Sequence, residues 1–233
     1  MNAPWVVVQH VPVEGPGLIA VALERAGARV DVRRMYCGEP LPAADEIAGL
    51  VVMGGPMNAL DDAAFPHLPA ERQLLAACVQ REVPVLAVCL GAQLLAASLG
   101  ARVYRGDTPE VGLGVVTLAP AARHDPVFGP AGHLLPVLHW HEDTFELPAG
   151  ATLLASNAAY PHQAYRVGSA YAMQFHLEID ATALPDLAPA LPPDAHIDHR
   201  HLALVNRAGA ALFDRFVAGA MPRTGRPLAG SNR

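Results

Sequence analysis

Three residues of this sequence have side chains that together could make and break an acyl bond: Cys89, His176 and Glu178. A thiolate attacks a carbonyl carbon, an imidazole moves the thiol proton to the leaving group, and a carboxylate holds the imidazole in one tautomer. Cys89 stands in Pro84-Val-Leu-Ala-Val-Cys89-Leu90-Gly91-Ala92-Gln93, where an apolar strand runs almost directly into a helix. A turn of this kind exposes its central residue, and small neighbours at Ala87 and Gly91 let the backbone reverse sharply. The helix aims its first N–H groups at the sulfur, which favours thiolate, and Leu90 N–H can donate to an oxyanion. Taken alone, the segment also fits a buried structural cysteine.

His176 and Glu178 end the segment Ala170-Tyr-Ala-Met-Gln-Phe-His176-Leu-Glu178, which reads as a strand carrying both side chains on one face by its period of two. An isolated His-x-Glu is more often a surface histidine beside a solvated carboxylate, so the pair gains meaning only together with the cysteine turn. A third segment, Leu50-Val51-Val52-Met53-Gly54-Gly55-Pro56, is a strand running into glycines. Without a Cβ, Gly55 can bring its N–H close to a bound carbonyl oxygen as a second oxyanion donor, although Gly-Gly-Pro by itself signals only a loop.

The elements that must position these groups follow from hydrophobic periodicity. Strands are expected at Trp5 to Val11, Ala28 to Met35, Leu50 to Met53 and Pro84 to Val88, with helices at Leu18 to Ala26, Glu71 to Arg81 and Ala92 to Leu99. That β-α-β alternation, with fully apolar strands, predicts a buried parallel sheet. After Arg102, strands near Gly112 to Leu118, Leu135 to His139, Ala151 to Ser156, Gln163 to Val167 and Ala170 to Phe175, with a Gly168-Ser169 turn, add antiparallel members. A last amphipathic helix covers about Arg200 to Ala218. The expectation is a three-layer α/β fold, a mostly parallel sheet flanked by helices with antiparallel strands late in the chain. Residues 1–220 form one domain in this reading, and 221–233 a loose C-terminal tail.

Composition narrows the chemistry. The 233 residues are 52% hydrophobic and carry a formal charge of −6, so a sizeable core forms and neither nucleic acid nor an anionic membrane is an expected partner. All 16 basic residues other than histidine are arginine, which excludes Schiff-base and phosphate-loop lysines. Three cysteines without a Cys-x-x-Cys pair suit a reducing compartment, and the amino terminus shows no signal-peptide pattern, so a cytoplasmic location is expected. The uncharged run Val83 to Ala101 is long enough for a membrane span, but Pro84, Gly91, Gln93, Ser98 and Gly100 divide it into strand, turn and helix.

At these residues the sequence resembles the class I glutamine amidotransferases, marked by a Cys-x-Gly-x-Gln elbow, an earlier Gly-Gly-Pro loop and a late Phe-His-x-Glu. Cys89-Leu-Gly91-Ala-Gln93, Gly54-Gly55-Pro56 and Phe175-His176-Leu-Glu178 match these marks, and the resemblance spans about residues 45 to 180. It implies a flavodoxin-like glutaminase domain in which Cys89 attacks the γ-carboxamide of glutamine, His176 moves the proton and Glu178 orients His176. It further implies Gly55 and Leu90 as oxyanion donors. Gly54, Gln93, Trp140, His141 and Glu142 are its implied substrate contacts, the last three on a loop over 138–143. No cofactor and no metal are implied, and the ammonia acceptor would be a synthase on another chain. Ala87 stands where the family often has glycine and Leu177 where it usually has proline, neither of which removes a reacting group. Relatives with the same triad hydrolyse γ-glutamyl peptides, so that substrate class stays open beside glutamine.

Other readings are weaker. His139-x-His141-x-Asp143, with His196, His199 and His201 nearby in sequence, has metal-ligand spacing, but Thr144 stands where a further histidine would be needed. No Gly-x-Ser-x-Gly occurs, Leu90 replaces the histidine of other cysteine-elbow hydrolases, and Gly112-Leu-Gly114 lacks a third glycine for dinucleotide binding. A non-catalytic interaction module would have no need of Cys89, His176 and Glu178 together. Glu110 and the segment from Pro185 to His201 are assigned no role.

Overall fold

The structure, a computed structural model, describes residues 3–187 and 197–221. Five short apolar strands, β1 (Trp5–Gln9), β2 (Val30–Arg34), β3 (Gly49–Val52), β4 (Val85–Val88) and β9 (Ala170–Met173), run parallel in the spatial order β2-β1-β3-β4-β9. The sheet continues antiparallel through β8 (Ala164–Val167), β7 (Thr152–Ser156), β5 (Val103–Leu118) and β6 (Leu134–Phe145). Helices α1 (Gly17–Arg25), α2 (Leu68–Gln80), α3 (Leu90–Ser98), α4 (Leu184–Leu187) and α5 (His199–Ala220) complete the main described elements.

Both faces of the parallel strands are covered, which is why they are apolar throughout. Val7, Val51, Leu86, Val88 and Met173 point to a core closed by Ile19 and Leu23 of α1 and Leu212, Phe213 and Phe216 of α5. Val6, Val8, Leu50, Val52, Val85 and Ala87 point the other way, against Leu74, Leu75 and Cys78 of α2 and Leu94 and Leu95 of α3. Each fully buried large side chain of this kind contributes about 1.5–3 kcal/mol. The expected mixed, helix-flanked sheet is therefore the fold observed.

Two strands are much longer than the sequence pattern indicates. β5 begins at Val103 and β6 ends at Phe145, so they extend as a two-stranded arm whose residues, among them Arg105 and Glu142, are polar because the arm is largely solvated. Residues 138–143 accordingly lie within β6 and not on a loop. No helix among the described residues is long and apolar enough to cross a membrane, and 83–101 is indeed split into β4 and α3. Most of the proline-rich connection, His196 and the tail from Pro222 lie outside the described residues.

The register carries function. The β8–β9 hairpin turns at Gly168 (φ 55°) and lays β9 parallel to β4 with Val88 opposite Met173, so both strands deliver the residues that follow them to the same sheet edge.

Candidate active site

Cys89 follows β4 directly, with φ 52° and ψ −108°. Apart from glycines, only it and Glu82 have positive φ among the described residues, and holding a side chain there stores strain of the kind that nucleophile turns use. The turn is clamped. Cys89 N–H donates to Met173 O at 2.8 Å, and a Cβ on Gly91 would collide with the Val52 carbonyl oxygen. Glycine two residues after the cysteine is thus required by the close approach of α3 to β3. Cys89 is 6% exposed and opens on a cavity of about 570 Å³, with Sγ 3.6 Å from Trp140 O.

His176 reaches the cysteine from beyond the end of β9, where its backbone pairs with Leu138 of β6 in both directions, at 2.8 and 3.1 Å. This corrects the strand reading of 170–178. The chain bends after Met173, and Glu178 folds back so that Oε1 accepts from His176 Nδ1 at 2.6 Å and Oε2 from Leu177 N–H at 3.0 Å. Two helices hold the bend. Leu18 N–H of α1 donates to Glu178 O at 3.0 Å, Gly17 (φ 42°) leaves no room for a Cβ against that carbonyl, and Asn206 Nδ2 of α5 donates to Ile179 O at 2.6 Å.

With Nδ1–H given to Glu178, His176 Nε2 is buried and has no hydrogen-bond partner, the open position a thiol proton needs. Burial alone would lower the His176 pKa, but the Glu178 carboxylate and the Cys89 thiol beside it outweigh burial and hold it well above 6.5. An imidazolium next to a sulfur favours thiolate.

The glycine loop packs against the first residue of α3. A Cβ on Gly55 would lie 3.0 Å from Leu90 Cδ2, and neither the Gly55 nor the Leu90 N–H has an acceptor among the hydrogen bonds of the described residues. The Gly54–Gly55 turn is pinned from behind by a buried network without sequence signature. His10 Nδ1 is 2.9 Å from Gly54 O and its Nε2 2.8 Å from Glu71 Oε2, while Glu71 Oε1 is 2.7 Å from His67 Nδ1. The Gly54 carbonyl can only accept, so Nδ1 carries a proton, and a second on Nε2 would make the ring a cation facing the Glu71 carboxylate. Burial opposes that charge, and the Glu71 carboxylate and the Gly54 carbonyl overcome it, leaving the pKa raised.

The expected substrate contacts divide. Gln93, Trp140, His141 and Glu142 line the cavity; Gly54 lies beside it, where a Cβ would collide with Glu14 Oε2 and come within 3.1 Å of the His176 ring. Gln93 Nε2 donates to Asp143 O and Gln174 Oε1, each at 3.2 Å. Glu142 pairs with Arg105 at the exposed rim. Glu14, which sequence reading does not single out, also lines the cavity. Burial raises its pKa, Glu178 adds to this and His176 opposes it.

The sequence spacing His139-x-His141-x-Asp143 does not converge. Asp143 turns to accept from Asn58 Nδ2 at 2.7 Å, and the carboxylate that meets the two imidazoles is Glu110 of β5. His199 and His201 start α5 and do not line the cavity.

Residues 17–186 match the family model described as glutamine amidotransferase class-I. The chain is 34% identical over 185 residues to the glutamine amidotransferase-like protein YfeJ of Salmonella typhimurium, covering 77% of each. It is 33% identical over 144 residues to one of the subunits of the glutamine-hydrolysing GMP synthase of Natronomonas pharaonis, covering 60% of this chain and 71% of that one. It spans only 24 to 32% of the undivided GMP synthases it also matches. The crystal structure of a glutamine amidotransferase from Methylobacillus flagellatus superposes with a TM-score of 0.85 at 26% identity, over 99% of this chain and 100% of that one. On its family match, its relatives and its fold, this chain belongs to the class I glutamine amidotransferase family.

Proposed function

We propose that this protein hydrolyses the γ-carboxamide of glutamine to glutamate and ammonia through a thioester on Cys89. The observation that carries the reading is the strained Cys89 turn beside a His176 whose one unpartnered nitrogen is left open by the Glu178 bond. Cys89 Sγ attacks the amide carbon as the thiolate, its proton already held by His176, and the oxyanion is received by the Gly55 and Leu90 N–H groups. The protonated His176 gives that proton to the amide nitrogen, the C–N bond breaks and ammonia leaves. Water deprotonated by His176 then attacks the thioester; the C–S bond breaks, the proton returns to sulfur and glutamate is released. Glu178 orients the imidazole throughout, and Gln93 and Glu14 meet the amino-acid end of the substrate. The ammonia goes to a separate synthase, a reading supported by the similarity to one chain of a divided GMP synthase. Three free cysteines fit work in a reducing, cytoplasmic setting.

One feature favours a second substrate class. Arg105 lines the cavity and pairs with Glu142 at its exposed rim, where an arginine would meet the carboxylate of a γ-glutamyl peptide. The test is glutamate release from glutamine and from a γ-glutamyl dipeptide side by side, with Cys89→Ala as the blank. Cysteine-dependent glutamine turnover is expected; dipeptide cleavage well above it would transfer the assignment to a γ-glutamyl peptidase, and release undiminished in Cys89→Ala would overturn the thioester.

A further inference from the structure

Beside the Cys89 cavity, on the β5–β6 arm, lies a cluster that takes no step in the proposed hydrolysis, although one member, His141, also lines the cavity. In the ladder, Glu110 stands opposite His141 and Gly112 opposite His139, and the period of two along β6 puts both imidazoles on one face. The His139 ring lies over Gly114, where a Cβ would approach its Cδ2 to 2.6 Å. All three residues are largely buried.

The hydrogen bonds around this cluster leave lone pairs facing one another. His141 Nδ1 is 3.0 Å from Asp143 O, a carbonyl that only accepts, so Nδ1 carries the proton. In the neutral ring, Nε2 then presents a lone pair to Glu110 Oε2 at 3.0 Å. His139 Nδ1 lies 3.8 Å from the same oxygen, buried and without a hydrogen-bond partner. The carboxylate is held as an acceptor by Asn157 Nδ2 on Oε1 at 2.7 Å and Gln163 Nε2 on Oε2 at 2.6 Å. A proton on His141 Nε2 would satisfy that nitrogen and leave His139 Nδ1 orphaned. A cation among the three satisfies all of them.

We propose that Glu110, His139 and His141 form a binding site for a divalent transition metal of the zinc class. The ligand atoms already lie within 4.8 Å of one another. Zinc bonds of about 2.0–2.2 Å place tetrahedral ligand atoms roughly 3.3–3.6 Å apart, so modest side-chain movement closes the site. Two imidazoles with one carboxylate suit zinc and its neighbours, whereas calcium and magnesium prefer all-oxygen sets. The surrounding shell is that of a built metal site, with the distal nitrogen of His141 on a backbone carbonyl and two amides orienting the carboxylate. A bound ion would fasten β5 to β6 next to Trp140, whose carbonyl faces Cys89 Sγ, and so stiffen one wall of the cavity.

The experiment uses the full chain carrying Cys89→Ala, so that this thiol cannot compete, stripped with a chelator and titrated calorimetrically with zinc chloride. One zinc per chain is expected, with binding weakened about tenfold or more in Glu110→Gln and His139→Ala and about tenfold in Asn157→Ala, which alters only the supporting shell. Asn157→Ala carries the test should His139→Ala fail to fold. Cobalt in place of zinc should give tetrahedral d–d absorption without a sulfur charge-transfer band. Absence of stoichiometric binding at neutral pH, which would mean that a proton alone bridges His141 and Glu110, overturns the proposal. So does a sulfur band from Cys37 or Cys78, or affinity unchanged in the Glu110 and Asn157 variants.

Discussion

Two buried imidazole–carboxylate clusters lie near one cavity, one meeting it through Cys89 and the other through His141, and they are wired differently. At His176–Glu178 the partners close: Glu178 accepts from the imidazole and from Leu177 N–H, and a single ring nitrogen remains open beside a thiol. At Glu110–His139–His141 the lone pairs converge on one another across two strands. One open valence next to sulfur makes a base; several pointing inward make a ligand set. The same residue types thus acquire different chemistry from the backbone that presents them, a helix-clamped bend in one case and a β-ladder in the other.

The comparison can be broken most forcefully at the sulfur. Cys89→Ala should lower glutamate release about a thousandfold or more with the circular dichroism spectrum unchanged. Next, Glu178→Gln should reduce kcat by roughly a thousandfold or more, yet by less than Cys89→Ala does, with little change in KM, because it removes orientation and not the nucleophile. Glu110→Gln should reduce glutamate release by less than about tenfold; a loss equal to that of Glu178→Gln would mean that the second cluster belongs to the reaction. The smallest effect sharpens the electrostatics. Burial lowers the His139 pKa to about 4, with Glu110 opposing. Between that value and about 6.5 the unfolded chain binds a proton at His139 and the folded chain does not, so stability from this site falls as pH falls through the window. His10 works in the opposite sense: its raised pKa gives stability that is present below 6.5 and lost as pH rises through the folded value. In chelator-treated protein, histidine NMR titrations should show the two rings displaced in opposite directions, and the acid-side slope of the unfolding midpoint should flatten in His139→Phe.

The parallel half of the fold is legible in the sequence because strands covered on both faces must be apolar and the helices between them must be periodic, and both leave long signals. The β5–β6 arm is only half legible: much of it is solvated, so Arg105 and Glu142 look like loop residues although they sit in or beside a ladder. Cys89 is readable because its turn demands small residues at fixed offsets, here Ala87 and Gly91. The His176–Glu178 pair is found for a partly wrong reason, since a bend and not a strand period joins them. Glu14, and the His10–Glu71 contact across 61 positions, cannot be read, because spatial convergence of distant polar residues leaves no local pattern.

The central claim is that the elbow activates one thiol among three. Cys37 is exposed, and Cys78 is buried with its pKa pushed up to about 11 by that burial, against the opposing charge of Arg81. The most direct test is competitive alkylation of the intact protein by a glutamine-like electrophile, followed by peptide mass mapping. Labelling at Cys89 faster than at the accessible Cys37, and slowed by glutamine, is the result expected. Preferential labelling of Cys37, or Cys89 labelling indifferent to glutamine, would contradict an activated nucleophile at the elbow.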